Sequence, residues 1–292
     1  MLTRREVLAA LFAPAPPEGG LVDTHVHLFS SDQKRFPFHP NASYKPKPAP
    51  LEDYLRFVNA RKISHTVIVH PEPYQDDHSY LEYCFANEPF PGFFKGTCLF
   101  DPILPDTPAR MEALMKRNPN RIVGLRIHQM RKPGEPATTT GPIRDRDMSH
   151  PAMKAAWKKA HDLGLAIQMH FIPYYAPQIA ALAAQFPQMP VVLDHLGRGW
   201  QGTPEQWKGV LKLAKFPKVI MKYSSVDEAA KPLVKEAYQA FGPERMIWGG
   251  LGKDEAEYDQ RVKLFNYIWD FVPRDVPAKI RGLNAMKIYR FA

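Results

Sequence analysis

The sequence predicts one α/β domain, a TIM-type (β/α)8 barrel over residues 21–292. Three observations carry that prediction. Eight short β-branched or apolar runs alternate with longer helix-like stretches, the pattern of parallel strands joined by right-handed crossovers. The 292 residues suffice for one large core, and barrels of this type exceed 200 residues as single domains. Histidines, aspartates and basic residues recur just after the runs, at the strand ends that a barrel gathers on one face.

The elements follow in order. A strand is expected at residues 21–24, then a loop at 29–50 rich in Pro, Lys and aromatics that reads as a cover over the barrel mouth. A helix at 51–61 precedes strands at 65–69 and 94–99, a helix at 109–117 and a strand at 122–127. A second long loop at 131–147 is a natural place for substrate selection. The rest alternates helix 151–163, strand 166–169, helix 175–185, strand 191–193, helix 204–215, strand 219–221, helix 228–241, strand 246–248 and helix 255–271. A doubly wound open sheet is the competing fold. It requires a glycine-rich phosphate turn after an early strand, and none is present.

Composition narrows the function classes. Hydrophobic residues make up 45% and charged residues 24%, and no apolar run is long enough for stable membrane insertion. The net charge of +9 raises nucleic acid as a partner. Its cations are scattered over helix faces, as at Lys154, Lys158 and Lys159, without the stripe and stacking aromatics of a nucleic-acid groove. A small-molecule substrate fits better than a nucleic acid, and an anionic one gains from the field. Cys84 and Cys98 lack metal-site spacing. Residues 1–20 resemble a twin-arginine signal: Arg4-Arg5, an apolar stretch, then Ala-Pro-Ala-Pro-Pro. That order points to export to the periplasm. A terminal helix on a cytoplasmic protein is the alternative, and a homo-oligomer is compatible with either.

The strand-end residues are His25 and His27, His70, Asp101, Arg126 and His128, His170, Asp194 and His195, and Lys222. In an extended strand positions 25 and 27 point the same way while Val26 points oppositely, so two imidazoles converge on the barrel axis. Such a pair suits a borderline divalent cation, zinc foremost, and His170 across the barrel is the candidate third ligand.

The run Leu21-Val22-Asp23-Thr24-His25-Val26-His27-Leu28 resembles the opening signature of the amidohydrolase superfamily. Val192-Leu193-Asp194-His195-Leu196-Gly197 is similar to the sixth-strand motif of its amidohydrolase-related branch, which holds sugar lactonases, pyrone-dicarboxylate lactonases and metal-dependent decarboxylases. The ending Gly282-Leu283-Asn284-Ala285 resembles that branch's terminal helix. The resemblance implies one divalent metal ion, or none in some lactonases, with His25, His27 and His170 as ligands. It implies that His195 sits beside the substrate or the attacking water as a proton-transfer or oxyanion group, the competing role being that of a supporting histidine held and oriented by Asp194. Arg126 and His128 would grip a carbonyl or carboxylate, and Lys222 would contact substrate or form a structural ion pair.

The family's eighth strand ends in an aspartate, and here Leu251 stands in its place. Leucine neither ligates a cation nor accepts a proton. Three explanations compete. Asp254 folds back through a loop loosened by Gly249, Gly250 and Gly252; His195, Asp194 or another strand-end acid serves as base, with the metal held by histidines alone; or the chain keeps a pocket without turnover. The expected function is therefore metal-dependent hydrolysis of a small lactone, ester or amide. Decarboxylation of an unsaturated acid and non-catalytic small-molecule binding are the alternatives.

Overall fold

The computed structural model describes residues 20–250, 252 and 254–291. The signal-like opening and Leu251 lie outside the described residues. Among the described residues no helix is long and apolar enough to cross a membrane.

Eight parallel strands form one sheet in the order β1 to β8: Leu21–Val26, Ile63–Val69, Phe94–Cys98, Ile122–Gln129, Ala166–Phe171, Val191–Leu193, Val219–Tyr223 and Met246–Trp248. The helices after them are α1 Leu51–Ala60, α2 Ser79–Ala86, α3 Thr107–Arg117, α4 Pro151–Asp162, α5 Ala176–Ala183, α6 Pro204–Leu211, α7 Lys231–Phe241 and α8 Glu255–Ile268, and α9 Asn284–Tyr289 ends the fold. The expected barrel is thus formed. Helix α2 was not expected, because six of its eight residues are apolar or aromatic and leave no polar face to mark a helical period.

No ladder joins β8 to β1 among the described residues, and side chains draw the two strands together instead. The Thr24 hydroxyl donates to Trp248 O at 2.7 Å, and Gly250 N donates to Asp23 Oδ1 at 2.8 Å.

Alternation sorts each strand into an outer face packed on helices and an inner face stacked in layers. On β5, Ile167, Met169 and Phe171 belong to the helix-facing core, which leaves Ala166, Gln168 and His170 for the interior. The lowest interior layer is apolar: Val22, Val67, Ala166, Val192, Ile220 and Ile247 pack with Ala285, Tyr289 and Phe291 of the chain end. Lys95 Nζ fastens this plug by donating to Tyr289 O and Arg290 O at 2.8 and 2.7 Å. Above the apolar layer the interior turns polar, with Thr24, Arg126, Gln168, Asp194 and Lys222.

Strand β1 contains the irregularity that serves the site. Its pairing with β2 runs Asp23↔Thr66 and then Val26↔Ile68, so three steps on β1 match two on β2. This bulge reverses the alternation. Val22 faces inward, yet three residues later His25 also faces inward, while Val26 packs outward with Ile68 in the helix-facing core.

Candidate active site

The site rests on Asp194, which is fully buried at the end of β6. Lys222 Nζ lies 3.2 Å from its Oδ1, Gln168 Nε2 donates to Oδ2 at 3.0 Å, and Arg126 Nη2 stands 3.6 Å from Oδ2. Burial alone would raise the carboxyl's pKa, but Lys222 and Arg126 outweigh it and hold the pKa below the usual range. Asp194 is therefore a fixed anion whose oxygens are taken up by Lys222, Gln168 and Arg126. It stabilises the positively charged interior rather than moving protons. Lys222 is equally buried and also donates to Thr24 O at 3.0 Å. The expected substrate contact at Lys222 is thus a structural ion pair below the mouth, because its ammonium is spent on Asp194 and a strand carbonyl. Arg126, only 3% exposed, shares that acid from the same layer.

His25 and His27 meet as the strand geometry requires, with Nε2 atoms 3.3 Å apart. His27 Nδ1 lies 2.7 Å from Val69 O. A carbonyl only accepts, so Nδ1 carries the proton and Nε2 presents a lone pair. His25 Nδ1 has no hydrogen-bond partner and points toward Asp194 Oδ1 at 3.7 Å. Burial, reinforced by nearby cations, pushes both pKa values far down, that of His27 to about 3, so both rings are neutral. Two neutral imidazoles with converging nitrogens, one held by a carbonyl behind it, are a donor set that fits a divalent cation.

His170 does not join them. Its Nδ1 lies 3.3 Å from His128 Nδ1, and the Arg198 guanidinium reaches its Nε2 at 3.2 Å. The described group whose potential ligand atoms all fall within 4.8 Å is His25, Asp194 and His195. The expected triad is therefore a pair, with His195 as the neighbouring imidazole at 4.7 Å between ring centroids.

His195 begins a left-handed turn. His195, Leu196, Gly197 and Arg198 have φ of 55°, 53°, 56° and 48°. Left-handed backbone costs roughly 1–2 kcal/mol per L-residue, and strain of this kind persists where the surrounding structure enforces it, often at functional sites. The turn brings both His195 and Arg198 to the His170 ring. Burial takes the His195 pKa to about 3 despite the opposing pull of Asp194, so this ring too is neutral. Its Nδ1 bonds to Ser224 Oγ at 2.9 Å. The partner expected to orient His195 was Asp194, and the structure supplies Ser224 instead, since Asp194 is engaged by Lys222 and Gln168.

At β8 the sequence expectation needs correction. Asp254 does not fold back: it is exposed and caps α8, its Oδ1 accepting from Glu257 N at 2.9 Å. The glycines there serve close approach rather than unusual dihedrals. A Cβ on Gly249 would lie 2.5 Å from the His25 Cβ, and one on Gly250 would lie 2.7 Å from Asp23 Oδ2. Asp23 is fully buried with Oδ2 unpartnered, and burial raises its pKa to about 6. Of the other strand-end residues, His70 bonds to Gln75 O at 2.9 Å and Asp101 pairs with Arg146 at 2.7 Å, so both are structural.

Ser224, Gln168 and Arg198 were not legible as site residues, and neither was Tyr44, whose phenol lies close enough to Arg126 to feel its charge. Arg126, Lys222 and Arg198 together exceed Asp194 and the weakly acidic Asp23. The mouth is thus neutral imidazole set in surplus positive charge, a setting for an anion beside a proton acceptor.

Comparison with known proteins gives the chain a family and a shared fold. The family model described as amidohydrolase matches residues 22–291. The chain is 25% identical over 279 residues to 4-sulfomuconolactone hydrolase of Hydrogenophaga intermedia, covering 89% of this chain and 84% of that protein. A "probable 2-pyrone-4,6-dicarboxylic acid hydrolase" of Acinetobacter baumannii, solved with citric acid bound, superposes with a TM-score of 0.74 at 20% identity over 93% of this chain and all of that one. An amidohydrolase of Burkholderia multivorans solved with bound zinc gives 0.70 at 15% identity over 94% of this chain and all of that one.

Proposed function

This chain belongs to the amidohydrolase family and is an enzyme, and from that premise we propose that it hydrolyses a small anionic lactone. The observation that carries the reading is His195, a neutral imidazole aimed into the mouth by a left-handed turn beside Arg198, whose positive charge no acid pairs among the described residues. The lactone substrates in the relatives' names carry sulfonate or carboxylate groups, which supports an anionic substrate here.

His25 and His27 would hold a divalent cation, zinc by the softness of imidazole, and when bound it would polarise the carbonyl and acidify water. The chain's own residues supply the rest. With Ser224 Oγ accepting from His195 Nδ1, the His195 Nε2 lone pair takes a proton from the water that adds to the lactone carbonyl. The same Nε2 returns the proton to the ring oxygen as the carbonyl C–O bond breaks, leaving a hydroxy acid. Arg198 and His128 orient the substrate's anionic group, and Arg126 supports the field from below. His195 thus takes the role of the aspartate that Leu251 replaces. We extend the proposal to export, which the Arg4-Arg5 opening supports and cell fractionation tests.

A pH-stat panel of five- and six-membered lactones, each with and without a ring carboxylate, tests the reading. Acid release is expected from the carboxylated members first, and loss of it in His195→Ala. Carbon dioxide release from unsaturated acids would replace hydrolysis with decarboxylation. Thermal stabilisation without turnover would leave a binding protein.

A further inference from the structure

Beside the mouth lies a cavity of about 500 Å3, within the usual range of small-molecule clefts. It is bounded by the outward face of β1, by residues 46–50 and by Gly252 and Asp254. His27 lines it and also belongs to the imidazole pair, so one ring is common to both spaces.

Its chemistry follows from what its walls cannot do. Pro46, Pro48 and Pro50 have no N–H to offer. The Ala49 N–H and carbonyl are both consumed by Phe29, each at 2.9 Å, in an isolated antiparallel bridge. The Tyr54 hydroxyl is bonded to Thr66 Oγ1 at 2.7 Å, and Val26 and Leu28 contribute only hydrocarbon. Among the described residues, charge is confined to exposed side chains at Lys47, Asp53 and Asp254. The proline-rich wall is tied down by the bridge, so it needs little ordering when a ligand arrives.

We propose that this cleft is a binding subsite for an apolar extension of the substrate, an alkyl chain or hydrocarbon ring carried by the lactone. The proposal deepens the hydrolase reading by making the substrate amphipathic, with its anionic ring in the mouth and its hydrocarbon beyond His27.

The test uses unreactive ligands, so that it does not depend on turnover. Tetrahydrofurans bearing 2-methyl to 2-hexyl groups are titrated into the full chain by calorimetry. The dissociation constant is expected to tighten by up to about fourfold per added methylene until the cleft is filled. Ala49→Trp, which fills the cleft, and Pro48→Glu, which charges its exposed wall, should each flatten that series, with circular dichroism confirming the fold. Two variants guard against misfolding of either one. A flat series in the parent chain, or an unchanged slope in both folded variants, overturns the subsite. Chain-length-dependent binding without lactone opening would defeat the hydrolase reading alone, whereas lactone opening with a flat series would defeat the subsite alone.

Discussion

Replacing Asp194 by Asn keeps the shape of the side chain and removes the one firm anion of the barrel interior. The consequence can be worked from the geometry. Asp194 and Lys222 are fully buried 3.2 Å apart, and Arg126 stands 3.6 Å from the other carboxylate oxygen. Loss of the acid strands two cations away from water. Breaking a buried pair in this way costs about 3–5 kcal/mol, far more than removing a surface pair. For a chain of this size each kcal/mol lowers the melting temperature by roughly 2–4 °C, so a fall of about 6–20 °C is expected. Burial already lowers the Lys222 pKa, which gives the variant a partial escape by deprotonation. Its deficit should therefore shrink as pH rises. Urea unfolding at two pH values measures both effects. Adding Lys222→Met should recover part of the loss, because one stranded charge becomes a packed side chain. A loss under about 1 kcal/mol, or a double variant no better than the single one, would refute the ion-pair account of the interior.

Acid should unfold the protein. His27, His70 and His195 are lowered from 6.5 to about 3, 4 and 3 by burial, so the unfolded chain binds protons that the fold refuses. Their contribution is complete above pH 6.5 and declines as pH falls toward these values, by up to about 1.4 kcal/mol per pH unit for each ring. Asp23, raised from 3.8 to about 6, acts with the opposite sign, its contribution fading as pH rises through that window. Asp23→Asn should steepen acid unfolding between pH 4 and 6, and an unaltered profile would exclude that burial effect. Arg198→Ala should raise KM for carboxylated lactones about 10- to 100-fold, the worth of a charge-assisted hydrogen bond, with far less effect on neutral ones. Equal losses on both would remove Arg198 from anion recognition. Gly249→Ala must displace His25, given the 2.5 Å approach of a Cβ, and should cost about 10- to 100-fold in kcat/KM. Unchanged kinetics would mean that the rim tolerates movement.

The barrel was legible because its strands are buried on both faces and so read as short continuous apolar runs. The runs at 191–193 and 246–248 coincide with β6 and β8. Strand β1 was read two residues short, since His25 does not look like strand interior and the bulge that turns it inward has no compositional mark. The convergence of His25 and His27 was readable from a period of two. The choice of Ser224 over Asp194 as the partner of His195 was not. It depends on a left-handed turn that only Gly197 hints at, and on Asp194 being consumed by Lys222 and Gln168. Asp254 was misjudged for a related reason. Glycines at 249 and 250 suggested a pliable loop, whereas they exist to let β8 lie against His25 and Asp23.

The proposed hydrolysis requires the neutral imidazoles of His25 and His27 to share one cation at the mouth of the barrel. Elemental analysis of the chain purified without chelator, beside His27→Ala, decides the matter. About one equivalent of a divalent metal in the parent chain and close to none in the variant is the predicted result. Equal metal content in both proteins, or an active parent chain with none, would contradict it.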